Sequence, residues 1–185
     1  MKDRRIAVAA AMAAVFVVTA GVLLWMGRTP WCACGSPVPW SWVVMSRHAS
    51  QHLLDPYSFT HMLHGVAFFG LLWFLPAKVG VGWRAVMAAT LEGAWEILEN
   101  TPMVIERYRA ETVSLDYVGD SVANSMSDIA ACLLGFWIAS RLPWRWSVGL
   151  FVAVEVVLLL WIKDSLIVNV IMLIHPIEAI KRWQM

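Results

Sequence analysis

Three short stretches of this sequence carry polar side chains at helical spacing. His61 and His64 stand at i and i+3. Glu92, Glu96 and Glu99 follow at i, i+4 and i+7, and Asp120, Asn124 and Asp128 at i, i+4 and i+8. At about 100° per residue, each set forms one stripe along a helix. Two histidines and several carboxylates on facing helices are the ligand set of carboxylate-bridged metal sites in helical bundles. These donors suit a divalent metal such as Zn, Mn or Fe. Without a metal, crowded carboxylates raise one another's pKa and form general acid–base pairs. The pattern nominates Glu96, Glu99 and Asp120 as catalytic groups and His61, His64, Glu96 and Asp120 as metal ligands. Glu92, Asn100, Asn124 and Asp128 would support them with hydrogen bonds. The opposing explanation is a polar network that only fixes helix packing.

The elements that must position these stripes are transmembrane helices. The chain has 185 residues, is 60% hydrophobic and only 15% charged. A soluble domain is about 45–50% apolar and about 25% charged, so this stock cannot build a water-facing surface. It is also too apolar for disorder. Fourteen basic and thirteen acidic residues nearly cancel and leave no basic stripe, which excludes a nucleic-acid-binding module. Continuous apolar runs exclude a barrel, whose segments would alternate. The sequence predicts one all-α integral membrane domain over 1–185, a polytopic bundle of about six spans. These run over 6–26, 59–77, 81–100, 119–140, 147–162 and 166–180. The last is short and kinked, and lying in the interface is its alternative.

Loop charge sets orientation, because Lys and Arg accumulate on the cytoplasmic side. With the N-terminus inside and six spans, nine basic residues lie inside and five outside; with five spans the count is seven to seven. The rule therefore favours six spans with both ends, the N-terminus included, in the cytoplasm. In that arrangement the three polar stripes share one depth near the outer leaflet. Eight of the thirteen acidic residues lie in spans or at their ends. Most of the twelve Trp fall at the two boundaries as interfacial anchors, and Trp95, beside Glu96, is the exception.

Several other residues have two readings each. Cys32 and Cys34 form a CxC that is an oxidised pair, a soft-metal pair or plain loop cysteines. His48 and His52 lid the site or are solvated. Glu155 pairs across helices or is protonated, and His175 and Glu178 form a local polar pair. Arg107 and Arg109 bind an anionic head group or follow the membrane surface. No GxSxG, P-loop, dinucleotide fingerprint or HExxH is present, so hydrolases and nucleotide enzymes of those types have no support.

The runs HMLHG at 61–65, LEGAWEILEN at 91–100, IERYR at 105–109 and LDYVGDSVANSMSD at 115–128 together resemble one family. So do GRTP before the CxC and SQHL before the second span. The family is an uncharacterised set of multi-pass inner-membrane proteins from alphaproteobacteria, and it covers nearly the whole chain. The resemblance implies location and one-domain extent but no activity. The Asp120, Asn124, Asp128 pattern more loosely resembles the acidic motif of VanZ-like membrane proteins, and no role follows from it.

The reading that results is a membrane-embedded enzyme with a periplasm-facing His/Glu/Asp site, acting on a lipid or lipid-linked substrate of the bilayer. Its rivals are a non-catalytic accessory or assembly protein and a transporter or proton pathway. The rival pathway would need ionisable groups through to the other side.

Overall fold

A computed structural model describes residues 2–112 and 114–184. Met1, Val113 and Met185, which the predicted domain includes, lie outside them. The described residues form eight helices and no strand. They are α1 (Lys2–Trp25), α2 (Ser58–Leu72), α3 (Val81–Glu99), α4 (Pro102–Glu111), α5 (Val122–Arg141), α6 (Trp144–Ile162), α7 (Leu166–Ile174) and α8 (Glu178–Gln184). Three of them, α1, α5 and α6, are long and apolar enough to cross a membrane, and α2 is a shorter apolar helix. Trp25, Phe74, Trp144 and Leu160 stand largely bare. Apolar helices with apolar outer surfaces point to a membrane protein.

Local chemistry sets the boundaries. α1 ends in a left-handed Gly27 (φ 83°), whose N–H donates to Leu24 O while Arg28 N–H donates to Leu23 O. This closes the last turn, as glycine caps do. α3 ends before Pro102, which opens α4 at a position where proline's missing N–H costs nothing. α5 stops before Pro143 and α7 before Pro176.

Two glycines make the central seam. A Cβ on Gly65 of α2 would meet Cys132 O of α5 at 1.8 Å, and one on Gly135 of α5 would meet Met62 O at 1.9 Å. Backbones approach this closely only where side chains are absent. On the other side of α3, a Cβ on Gly93 would meet Thr19 Oγ1 of α1 at 2.5 Å. The seam brings the histidine face of α2 onto the acidic face of α5, with α3 against both.

The structure bears on four sequence expectations. α2 stops at Leu72 instead of 77, because Trp73, Leu75, Pro76 and Val79 give their carbonyls to the buried Arg84 guanidinium. The connection over 101–118 is not all loop but holds α4. Glu155 reaches across to the next helix, but its partners there are backbone and not side chain. Its two oxygens accept from Leu166 and Ile167 N–H at 3.0 and 3.2 Å, capping α7.

The fourth concerns 166–180. This stretch breaks at His175 and folds back on α4. Arg107 Nε donates to Leu173 O, Tyr108 OH donates to Asn169 Oδ1 at 3.0 Å, and Lys181 Nζ lies 3.2 Å from Glu111 Oε2. These contacts hold α7 and α8 against α4, and the break at His175 is the kink expected of this short segment.

Candidate functional site

The three polar stripes meet at one end of the bundle. His61 Nδ1 lies 2.5 Å from Glu92 Oε1 and 3.3 Å from Glu96 Oε1, and its Nε2 lies 4.0 Å from Asp128 Oδ2. His64 Nδ1 lies 3.0 Å from each oxygen of Glu92. Glu92, assigned a supporting part from its sequence position, thus bridges both histidines directly. Glu92 and Glu96 are wholly buried. One donor atom from each of His61, His64 and Glu92, and again from each of His61, Glu96 and Glu99, lies within 4.8 Å of the others. Either trio fits a divalent cation with nitrogen and oxygen ligands.

The cluster is incompletely satisfied. The Glu96–His61 approach is poorly aligned for a hydrogen bond, so neither Glu96 oxygen has a partner among the described residues. Glu99 Oε2, Asp128 Oδ1 and both side-chain polar atoms of Asn124 are likewise buried without one.

Asp120 sits apart from the histidines. Its Oδ1 accepts from Tyr117 OH at 2.8 Å and its Oδ2 from Asn100 Nδ2 at 2.6 Å, while its own N–H donates to Asn100 Oδ1 at 2.8 Å. Neither metal-competent trio includes it. Arg107 and Arg109 do not line the cavity described next. Their Nε groups go to the carbonyls of Leu173 and Tyr117.

A cavity of about 370 Å³ opens beside the cluster. His61, Glu99 and Asp120 line it, together with the apolar Phe68, Leu91 and Leu98. Trp95 also lines it, edge-on to His64 with ring centroids 6.2 Å apart. Sequence spacing missed Tyr57, Tyr108 and Tyr117, which all reach the cavity. They lie in loops or in α4, where no period marks them.

The roof is the stretch from Gly27 to Asp55. Arg28 donates to Val118 O, Val122 and Ala123 N–H donate to Thr29 and Pro30 O, and Ser121 N–H donates to Ser50 O. The first free N–H groups of α5 are thereby satisfied. Asp55 accepts from Ser50, Tyr57 and Ser58 N–H and so starts α2. Burial raises its carboxyl above the usual range, and burial pushes Asp164 up to about 6. In the same roof, Cys32 Sγ lies 3.3 Å from His48 Nδ1 and Cys34 Sγ 3.6 Å from His52 Nε2. The histidines are thus drawn to the cysteines and not to the cavity, and both cysteines are free thiols.

Comparison with known proteins gives one consistent result. The profile of a family described as "Protein of unknown function (DUF2585)" matches residues 23–185. A UPF0314 protein of Paracoccus denitrificans is 48% identical over 92% of this chain and 88% of its own length. One of Sphingopyxis alaskensis is 45% identical over 93% and 92%, and one of Brucella anthropi 43% over 92% and 87%. No solved structure matches the chain.

Proposed function

The chain belongs to the DUF2585 family, and we propose for it a membrane-embedded enzyme acting on a lipid or lipid-linked substrate at a bacterial inner membrane. A divalent cation (Zn, Mn or Fe) held by His61, Glu96 and Glu99 would serve the reaction, with Glu92 and His64 buttressing His61. One observation carries this reading. Glu96 is fully buried, yet both its oxygens lack a partner among the described residues. A network that served only packing would satisfy its members, since an unpaired buried carboxylate is costly. A cation restores the balance.

The cavity favours an amphiphile. Its acidic residues would take the polar linkage, and Phe68, Leu91, Trp95 and Leu98 the alkyl chain. The cation would polarise an oxygen of that linkage and activate water. Glu99 lines the cavity, so it would hold the cation where a substrate reaches it. Asp120, whose oxygens are engaged, would shape the wall. A proton pathway has less support, because Glu155 is committed to the backbone of α7 while His175 and Glu178 are exposed.

The test is lipid mass spectrometry on the protein in nanodiscs of total bacterial lipid extract, with Mn2+ or Zn2+ added. The expected result is a cation-dependent conversion of one lipid class, slowed about 100-fold or more in Glu99→Gln and His61→Ala. A cation-loaded wild type that leaves every lipid class unchanged would overturn it.

A further inference from the structure

We infer that Cys32, Cys34, His48 and His52 form a second, separate metal site: a tetrahedral Zn2+ centre in the roof over the bundle. One donor atom of each lies within 4.8 Å of the other three. Zinc bonds of about 2.3 Å to sulfur and about 2.0 Å to nitrogen at a tetrahedral angle put sulfur about 3.5 Å from nitrogen. The two sulfur–nitrogen separations here are 3.3 and 3.6 Å. Two thiolates and two imidazoles select a borderline-soft ion over Mg2+ or Ca2+.

The chain around the four residues is shaped for the purpose. Gly35 N–H donates to Cys32 O at 3.1 Å, closing a tight turn that puts both cysteines on one side, and Gly35 takes φ 69° to allow it. Cys34 N–H points at Cys32 Sγ at 3.3 Å, a contact that favours a thiolate. A second turn, with Gln51 N–H on His48 O at 3.2 Å, brings His52 round beside His48. His52 Nδ1 bonds Val38 O at 2.5 Å, which fixes the proton there and leaves Nε2 bare toward Cys34. A ligating histidine is oriented in this way by a carbonyl behind it. Trp31 packs edge-on against His52 with centroids 5.5 Å apart.

All four protein ligands are supplied, which is the signature of a structural rather than a catalytic zinc site. Its task is to hold the roof. A hollow of about 670 Å³ runs from Cys32, Cys34 and His48 to Gln51, Gly119 and Asp120. Gln51 Nε2 donates to Gly119 O, next to Asp120, so the zinc turn and the cavity wall share a short path. Binding releases two thiol protons to solvent and changes no oxidation state, so affinity rises with pH.

The test is Co2+ titration of the full-length, detergent-purified, reduced protein, read by absorption. The expected spectrum has thiolate-to-cobalt charge transfer and the intense visible bands of a tetrahedral site. It saturates at one equivalent and is erased by Zn2+. Cys32→Ser combined with Cys34→Ser loses the thiolate spectrum, and His52→Ala weakens Co2+ binding about 10-fold or more, both keeping wild-type helical circular dichroism. Glu96→Gln keeps it, because the embedded cluster has no thiolate. Failure of the lipid-enzyme reading leaves these spectra untouched. Reduced wild type without charge transfer, or a band that survives the loss of both Cys32 and Cys34, overturns the proposal.

Discussion

Asp120 and Glu96 are acidic residues buried at the same end of one bundle, and their surroundings differ. Both oxygens of Asp120 accept hydrogen bonds, from Tyr117 and Asn100, and its backbone N–H returns one to Asn100. Glu96 faces His61 at 3.3 Å with no aligned donor on either oxygen. The first arrangement ties the start of α5 to the end of α3 and needs nothing more. The second leaves both carboxylate oxygens without a donor, which is the opening the proposed cation would fill. A buried acid can thus be read as structural or functional by counting its partners, where type and depth alone do not separate the two.

Parting the two central helices should give the largest effect. Gly135→Ala drives a methyl into Met62 O, parts α2 from α5, and should cost about 3 kcal/mol in detergent unfolding. Asn100→Ala attacks only the satisfied network. It strands Asp120, and the expected loss is about 2 kcal/mol with cation binding at His61 retained. Tyr117→Phe removes one donor to Asp120 and should cost about 1 kcal/mol in the same measurement. Glu96→Gln should cost nothing without cation, since it removes a buried carboxylate that has no partner. If Glu96→Gln proves as costly as Asn100→Ala, the distinction between the two networks is lost.

The embedded cluster was largely legible in the sequence, because helical periodicity does the arranging. Glu92, Glu96 and Glu99 fall on one stripe, and the stripe faces His61 and Asp128. What spacing hid was the partner count. Asp120 looks like Asp128 along α5, yet an asparagine twenty residues earlier takes its oxygen. The roof was not legible. Cys34 and His52 are brought together by two turns and a left-handed Gly35, and no period predicts that. The C-terminal segment also depended on tertiary contacts. Its composition fits a short span, while the Lys181–Glu111 pair and the Tyr108–Asn169 bond hold it on the side of α4.

The central claim is that Glu96 lies in a site completed by a cation. The most direct measurement is thermal unfolding in detergent of Cys32→Ser combined with Cys34→Ser, and of the same protein with Glu96→Gln added, each with and without Mn2+ or Zn2+; the shared substitutions silence the roof site. A cation at about 100 times its Kd should stabilise the first protein by about 2.7 kcal/mol. The account predicts that gain for the first protein, none for the second, and equal stability of the two without cation. A second protein that starts well below its parent, with no cation effect in either, would contradict it.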